Sequence, residues 1–292
     1  MQHNYYKIAD LIMHLCFVQS QNEDELIHSF RPFAYNLMKD EPAFTSIIID
    51  PTFVFNEERT EIGQFDCGGA NHGVYSSKNG DYQIEISNNQ GFLCGKFQTN
   101  ATFTQTTIVL YGDIAQQSFA LNNCTMLVFA FSASSQKVLL MHSSVIQKEG
   151  RGYLFQGKSG TGKSTHSRMW LQQIPNTELL NDDNPAVRVI NGCANVYGTP
   201  WSGKTPCYRN ASVPIGAFVR IEQQKENKIS KHRPVEAFAS ILSSCSTMLW
   251  DKRSYHEICD TVSFIASHTN SYTLGCLPNS EAANLCFSTV SK

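Results

Sequence analysis

Over the first hundred or so residues, apolar and polar positions alternate in short runs instead of recurring at helical spacing. The stretches "TSIIID", "GVYSS", "YQIEI", "GFLCGKF" and "TTIVLYG" are rich in β-branched and aromatic residues and are separated by turn signals. Asn79-Gly80 lies between two of them and predicts a hairpin, because both residues tolerate positive φ. "SNNQG" predicts the next reversal. The pattern reads as antiparallel sheet over residues 5–110. A short helix is expected within residues 20–40, broken near Pro32, since proline removes a helical hydrogen bond.

The pattern changes in the second half, where strands alternate with helices. "KVLLMHSSVIQ", the turn "KEGRG" and "YLFQG" predict a strand hairpin, and "KSTHSRMWLQQI" predicts the helix after it. His166 and Trp170 fall on one face of that helix, with Trp170 as a core residue. "PVEAFASILSSCSTMLW" puts Val235, Phe238, Ile241, Leu242, Cys245 and Leu249 on one helical face, with Pro234 in the first turn. "SYTLGCL" reads as a strand. "NSEAANLCFSTV" reads as a closing helix capped by Asn279 or Ser280. The expected fold class is α/β of the α+β kind, with a β-rich domain over 1–135 and a second domain over 136–292.

Composition narrows the function. The chain has 292 residues, 41% hydrophobic and 16% charged, enough to bury a sizeable core. Its net charge of -2 supplies no basic stripe, so nucleic acid is not an expected partner. The apolar run over residues 8–18 is interrupted by Asp10 and His14, which fits neither a secretory signal nor a membrane span. A cytoplasmic protein is expected. The ten cysteines include no CxxC pair, which disfavours zinc and redox motifs and suggests reduced, buried thiols.

The segment "GKSGTGKSTHS" at residues 157–167 matches GxxxxGK[ST] through Gly157, Gly162, Lys163 and Ser164. It follows a predicted strand and opens a predicted helix. In such a loop the glycines let backbone N–H groups converge on one phosphate and the helix adds its positive end. The loop residues Gly157, Lys158, Ser159, Gly160, Thr161, Gly162, Lys163, Ser164 and Thr165 are therefore the candidate triphosphate site. Lys163 would reach the β- and γ-phosphates, and the Ser164 hydroxyl would bind Mg²⁺.

Two carboxylates follow in "TELLNDDNPAV". Asp182 and Asp183 end an apolar stretch, where a strand would carry them toward the phosphates; one suits Mg²⁺ and the other a nucleophile's proton. The plainer alternative is a solvated turn. His142, in "LLMHSSVI", precedes the loop on the neighbouring strand, where a hairpin through residues 148–152 would return it beside the loop. On its own it would be an ordinary core histidine.

"MHSSV…GYLFQGKSGTGKST…LLNDDNPAV" resembles the catalytic domain of the HPr kinase/phosphorylase group, where a histidine strand, a GxSGxGKS loop and an Asp-Asp strand occur in this order. The loop is also similar to that of ATP-dependent phosphoenolpyruvate carboxykinase, of the same structural superfamily. The likeness covers residues 137–190 well, the tail only in the order of its elements, and the first 130 residues hardly at all. It implies a P-loop kinase domain, with ATP and Mg²⁺ and a hydroxyl acceptor on a protein, a peptide or a small molecule. It also implies that Lys163 binds the transferred phosphate, that Ser164, Asp182 and Asp183 serve metal and base, and that His142 assists. A homo-oligomer is implied as well, since HPr kinases assemble into hexamers.

The chain also departs from that group. HPr kinases carry a metal-binding glutamate downstream of the aspartates, whereas no Asp or Glu occurs here between Asp183 and Glu222. In its place "VYGTPWSGKTPCYRN" reads as a second anion-binding loop, with Lys204 and Arg209 as candidate substrate contacts. The alternative is a surface loop in which Trp201 and Tyr208 pack. Two other functions fit parts of the pattern: a carboxykinase, whose substrate arginines and manganese histidine are not found here, and a sensor that binds ATP without catalysis.

Overall fold

A computed structural model describes residues 1–19, 23–66, 71–203 and 205–292. Two compact units divide the mixed α/β chain, Met1–Ser132 and Ala133–Lys292, against an expected break after residue 135.

The first unit opens with an unexpected hairpin. β1 (Gln2–Ile8) and β2 (Leu11–Phe17) turn through Ala9 and Asp10, both at positive φ. The helical reading of residues 20–40 becomes α1 (Glu23–Ile27) and a 3-10 turn, His28–Phe33, which accommodates Pro32; residues 20–22 lie outside the described residues. Then come β3 (Thr45–Ile49), β4 (Arg59–Asp66), β5 (Asn71–Ser77), β6 (Tyr82–Ser87), β7 (Leu93–Thr99) and β8 (Gln105–Leu110), followed by α2 (Ile114–Ser132).

The sheet runs β1-β2-β3-β8-β7-β6-β5-β4. From β8 to β4 the pairing is antiparallel, with Gly80 at φ +87° in the Asn-Gly turn. β2, β3 and β8 are instead parallel neighbours; between β2 and β3 a connection through α1 returns the chain to the same end of the sheet. Leu15, Ile47, Ile84, Phe97 and Ile108 are fully buried, as are Leu121, Cys124 and Val128 of α2. Among the described residues no helix is long and apolar enough to cross a membrane.

The second unit contains β9 (Val138–Leu140), β10 (Ser143–Lys148), β11 (Arg151–Gln156), α3 (Lys163–Gln173), β12 (Thr177–Asp183), β13 (Ala186–Ile190), β14 (Cys193–Tyr197) and β15 (Ser212–Gln223). β16 (Lys228–Lys231), α4 (Pro234–Leu242), α5 (Lys252–His268), β17 (Ser271–Cys276) and α6 (Ser280–Val290) complete it. The strand order is β12-β10-β11-β15-β14-β13-β9, with β17 added beside β15 and β16 beside β17. β11, β15 and β17 are parallel, whereas β10 lies antiparallel between β11 and β12.

Successive residues on the parallel strands point to opposite faces, and both faces are covered. Phe155, Val219 and Leu274 pack with Trp170 of α3 and Ala283 and Cys286 of α6. Leu154 and Phe218 pack with Ile241 of α4 and Ile258, Val262 and Ile265 of α5. Asn279 caps α6, accepting the Ala282 N–H at 3.0 Å.

Two expectations change. The helix at Pro234 stops at Leu242, leaving Val235 80% and Leu249 69% exposed, so those two residues belong to no apolar face. The expected single strand before the hairpin is two strands, since β9 pairs with β13 while β10 pairs with β11 and β12. Met141 and His142 occupy the break, where their N–H groups donate to Pro185 O and Ser244 O.

Candidate functional site

The loop between β11 and α3 has the backbone that its glycines permit. Gly157, Gly160 and Gly162 sit at φ +146°, +79° and +106°, a region costly for residues with a Cβ. At Gly157 space matters too, because a Cβ there would lie 3.0 Å from the Ile221 carbonyl of β15. Thr161 closes the turn by donating Oγ1–H to Lys158 O at 2.8 Å. No acidic side chain occupies the first turn of α3 and none caps it, so its positive end is not neutralised by the helix's own first turn.

Lys163 begins that helix and is buried. Its Nζ donates to Gly157 O at 3.0 Å and Lys158 O at 3.3 Å, holding the loop closed. Burial pushes its pKa below the usual lysine value, while Asp183 and Asp182 pull the other way.

Sheet register brings the aspartates to the loop. Ser143 of β10 pairs with Gln156 at the end of β11 on one side and with Asp183 on the other. The strand alternation then gives the two carboxylates different surroundings. Asp182 is buried and its Oδ1 accepts the Ser164 hydroxyl at 3.0 Å. Asp183 is part-exposed; His142 Nε2 lies 3.1 Å from its Oδ1, and Asn184 Nδ2 donates to its Oδ2 at 3.0 Å. Asp183 has φ +127°, a strain of about 1–3 kcal/mol for a residue with a Cβ, of the kind that concentrates at functional sites.

The loop after β14 lies against this pair. Ser202 bridges to Asp183, and its hydroxyl donates to Asp182 O at 3.0 Å. A Cβ on Gly203 would sit 3.0 Å from that of Asp183, so this close approach favours glycine. Trp201 is buried, as the packing alternative expects. Lys204 lies outside the described residues. Arg209 is engaged elsewhere. Its Nη2 pairs with Glu178 at 2.6 Å and its Nη1 donates to Leu179 O at 2.9 Å, both near the start of β12, away from the aspartates that end it.

Sequence spacing gave no signal for Asn181 and Thr199. Asn181 is fully buried behind the aspartates, donating to Thr199 Oγ1 at 3.2 Å and Trp201 O at 3.3 Å and accepting from Asn184 N–H at 3.0 Å. His166 belongs to the core: burial pushes its pKa down to about 4, and its Nε2 accepts Trp170 Nε1–H at 3.1 Å. A cleft of 430 Å³ borders the loop, with Gly160, Thr165 and Met169 on one side and Ile221, Gln224 and Pro278 on the other. A larger cleft of 600 Å³ lies in the first unit, lined by residues such as Glu23 and Arg31, away from any glycine loop.

No family profile and no curated protein matches the chain. Among solved structures, the Hpr(Ser) kinase/phosphatase from Coxiella burnetii is similar at 11% identity and a TM-score of 0.31, over 52% of this chain and 93% of that one. A TM-score of that size does not establish a common fold. Function is therefore read from the loop and its aspartates.

Proposed function

We propose that this chain is a kinase that moves the γ-phosphoryl group of ATP, with Mg²⁺, onto a hydroxyl acceptor. One observation carries the reading: Ser164 is bonded to a buried Asp182, while the next residue, Asp183, is part-exposed and held by His142. A sensor needs the loop alone; a second carboxylate turned toward solvent and oriented by an imidazole suits proton removal from an acceptor.

The chemistry of the donor set divides the aspartates. Ser164 Oγ and Asp182 Oδ1 are hard oxygens 3.0 Å apart and fit Mg²⁺, which supplies charge neutralisation on the β- and γ-phosphate oxygens. Asp183 takes the acceptor proton as the acceptor oxygen bonds to the γ-phosphorus and the bond to the β-phosphate oxygen breaks, releasing ADP. His142 and Asn184 fix the carboxylate that receives the proton. Lys163 and the N–H groups of the loop balance charge on the transferred group. The cleft beside Thr165 takes the nucleoside, with Met169, Ile221 and Pro278 as apolar walls and Gln224 as a polar edge.

The test is a transfer assay with γ-labelled ATP, Mg²⁺ and a cell extract, fractionated into protein and small molecules. Label should reach an acceptor and vanish in Lys163→Ala. Tight ATP binding with no label moved to any fraction would contradict the kinase and favour the sensor.

A further inference from the structure

Among the described residues, one group of metal-ligating side chains converges in the first unit: His3, His14 and Cys16, whose ligand atoms lie within 4.8 Å of one another. Register makes the cluster. His3 of β1 is directly opposite Cys16 of β2, and His14 is two residues from Cys16 on the same strand, so all three project from one face. That face is opposite to the one on which Leu15 and Ile47 are fully buried. Cysteine spacing along the chain cannot show such a site, because its donors come from two strands and include one thiol.

We infer that these three side chains form a zinc site with an open fourth position. His3 Nδ1 and His14 Nε2 already face each other at 3.0 Å, sharing one proton. Tetrahedral zinc holds nitrogen and sulfur donors about 3.3–3.6 Å apart, so a small ring movement lets the cation sit between the two nitrogens while the proton there shifts to the second nitrogen of the ring that carried it. The Cys16 thiol ligates as thiolate, its proton passing to solvent. The other ring nitrogen of His14 is supported: Nδ1 lies 2.8 Å from Ser46 Oγ of β3, directly across the sheet. Metal-bound histidines characteristically use their second nitrogen this way, which fixes the tautomer and the ring. Tyr5 stacks on the His14 ring at 4.8 Å and holds its plane. Two imidazoles and a thiolate select a borderline-soft ion such as Zn²⁺ over Mg²⁺ or Ca²⁺. Burial grades from Cys16, nearly enclosed, through His14 to the exposed His3, leaving the fourth position toward solvent.

The test is titration of the full, reduced chain with Co²⁺, followed by displacement with Zn²⁺. We expect one equivalent to produce the visible bands of tetrahedral cobalt together with a thiolate charge-transfer band, which an oxygen and nitrogen site such as Asp182 and Ser164 cannot give. Cys16→Ala should abolish the charge-transfer band. His3→Ala, at an exposed position that does not threaten folding, should weaken zinc by at least about 100-fold, and Ser46→Ala by roughly 10-fold. The absence of the band at one equivalent in wild type would overturn the site, as would its persistence in Cys16→Ala. Neither result depends on phosphoryl transfer, so the site and the kinase stand or fall separately.

Discussion

Each unit sends a strand into a helix, and the two helix starts are treated differently. After β2, the first turn of α1 carries Glu23, Asp24 and Glu25, with Asp24 paired to Arg31 at 2.6 Å and Glu23 accepting from Gln2 at 3.1 Å. After β11, the first turn of α3 carries no carboxylate, and three glycines with positive φ precede it. A helix start carries a positive end and N–H groups without intrahelical partners, to which nearby carboxylates are favourable. Where the chain supplies its own anions the helix start is a structural joint. Where it withholds them, and spends backbone freedom on glycine, the start suits the phosphate that the proposed function requires.

This contrast is most vulnerable where the proposed metal ligands adjoin α3. Asp182→Asn keeps an acceptor for Ser164 but removes the charge, so transfer should fall about 10²–10³-fold with a raised Mg²⁺ requirement, read by magnesium titration of the label assay. An unchanged Mg²⁺ dependence would remove Asp182 from the metal site.

The next effect is on stability. His166 is pushed down to about 4 by burial, so the folded state resists its protonation. The sign follows: stability is greatest above about pH 6.5 and is lost as pH falls toward 4, by up to about 3 kcal/mol. His166→Gln, which keeps an acceptor for Trp170, should flatten that part of the denaturation-versus-pH curve. A slope unaltered by the substitution would place the acid sensitivity elsewhere.

A smaller effect compares glycines in the two units. Gly157→Ala combines strained φ with the Ile221 carbonyl and should cost roughly 1–3 kcal/mol and weaken nucleotide binding. Gly80→Ala has open space and should cost about 1–2 kcal/mol with nucleotide affinity unchanged. Equal losses of nucleotide affinity would erase the distinction. Least of all, Arg209→Ala should leave chemical denaturation almost unchanged and transfer intact, since its pair with Glu178 is exposed. A collapse of transfer would restore Arg209 as a substrate contact.

What is legible in the sequence is local. The loop shows through glycine spacing within one turn, and the aspartates through the end of an apolar run. The break at His142 is hidden because neither proline nor glycine interrupts "KVLLMHSSVIQ", while the change of partner from β13 to β11 depends on residues far along the chain. α2 has no legible face, its last turns from Leu127 to Ser132 being buried all round. Periodicity carries the helix at Pro234 too far because Cys245 and Leu249 happen to continue its spacing. α5 escapes the sequence pattern although Asp251 caps it, accepting Ser254 N–H at 3.0 Å, and its buried Ile258, Val262 and Ile265 keep helical period. The roles of Asn181 and Arg209, and the cleft wall of Gln224 and Pro278, arise only from tertiary contact.

In the proposed division of labour, Asp183 removes the acceptor proton while Asp182 and Ser164 serve the metal. Asp183→Asn probes that division without an intermediary, with nucleotide affinity and label transfer measured on the same preparation. ATP affinity should stay within a few-fold of wild type while transfer falls by about 10²–10⁴-fold. Transfer at the wild-type rate in a variant that binds ATP normally would contradict it.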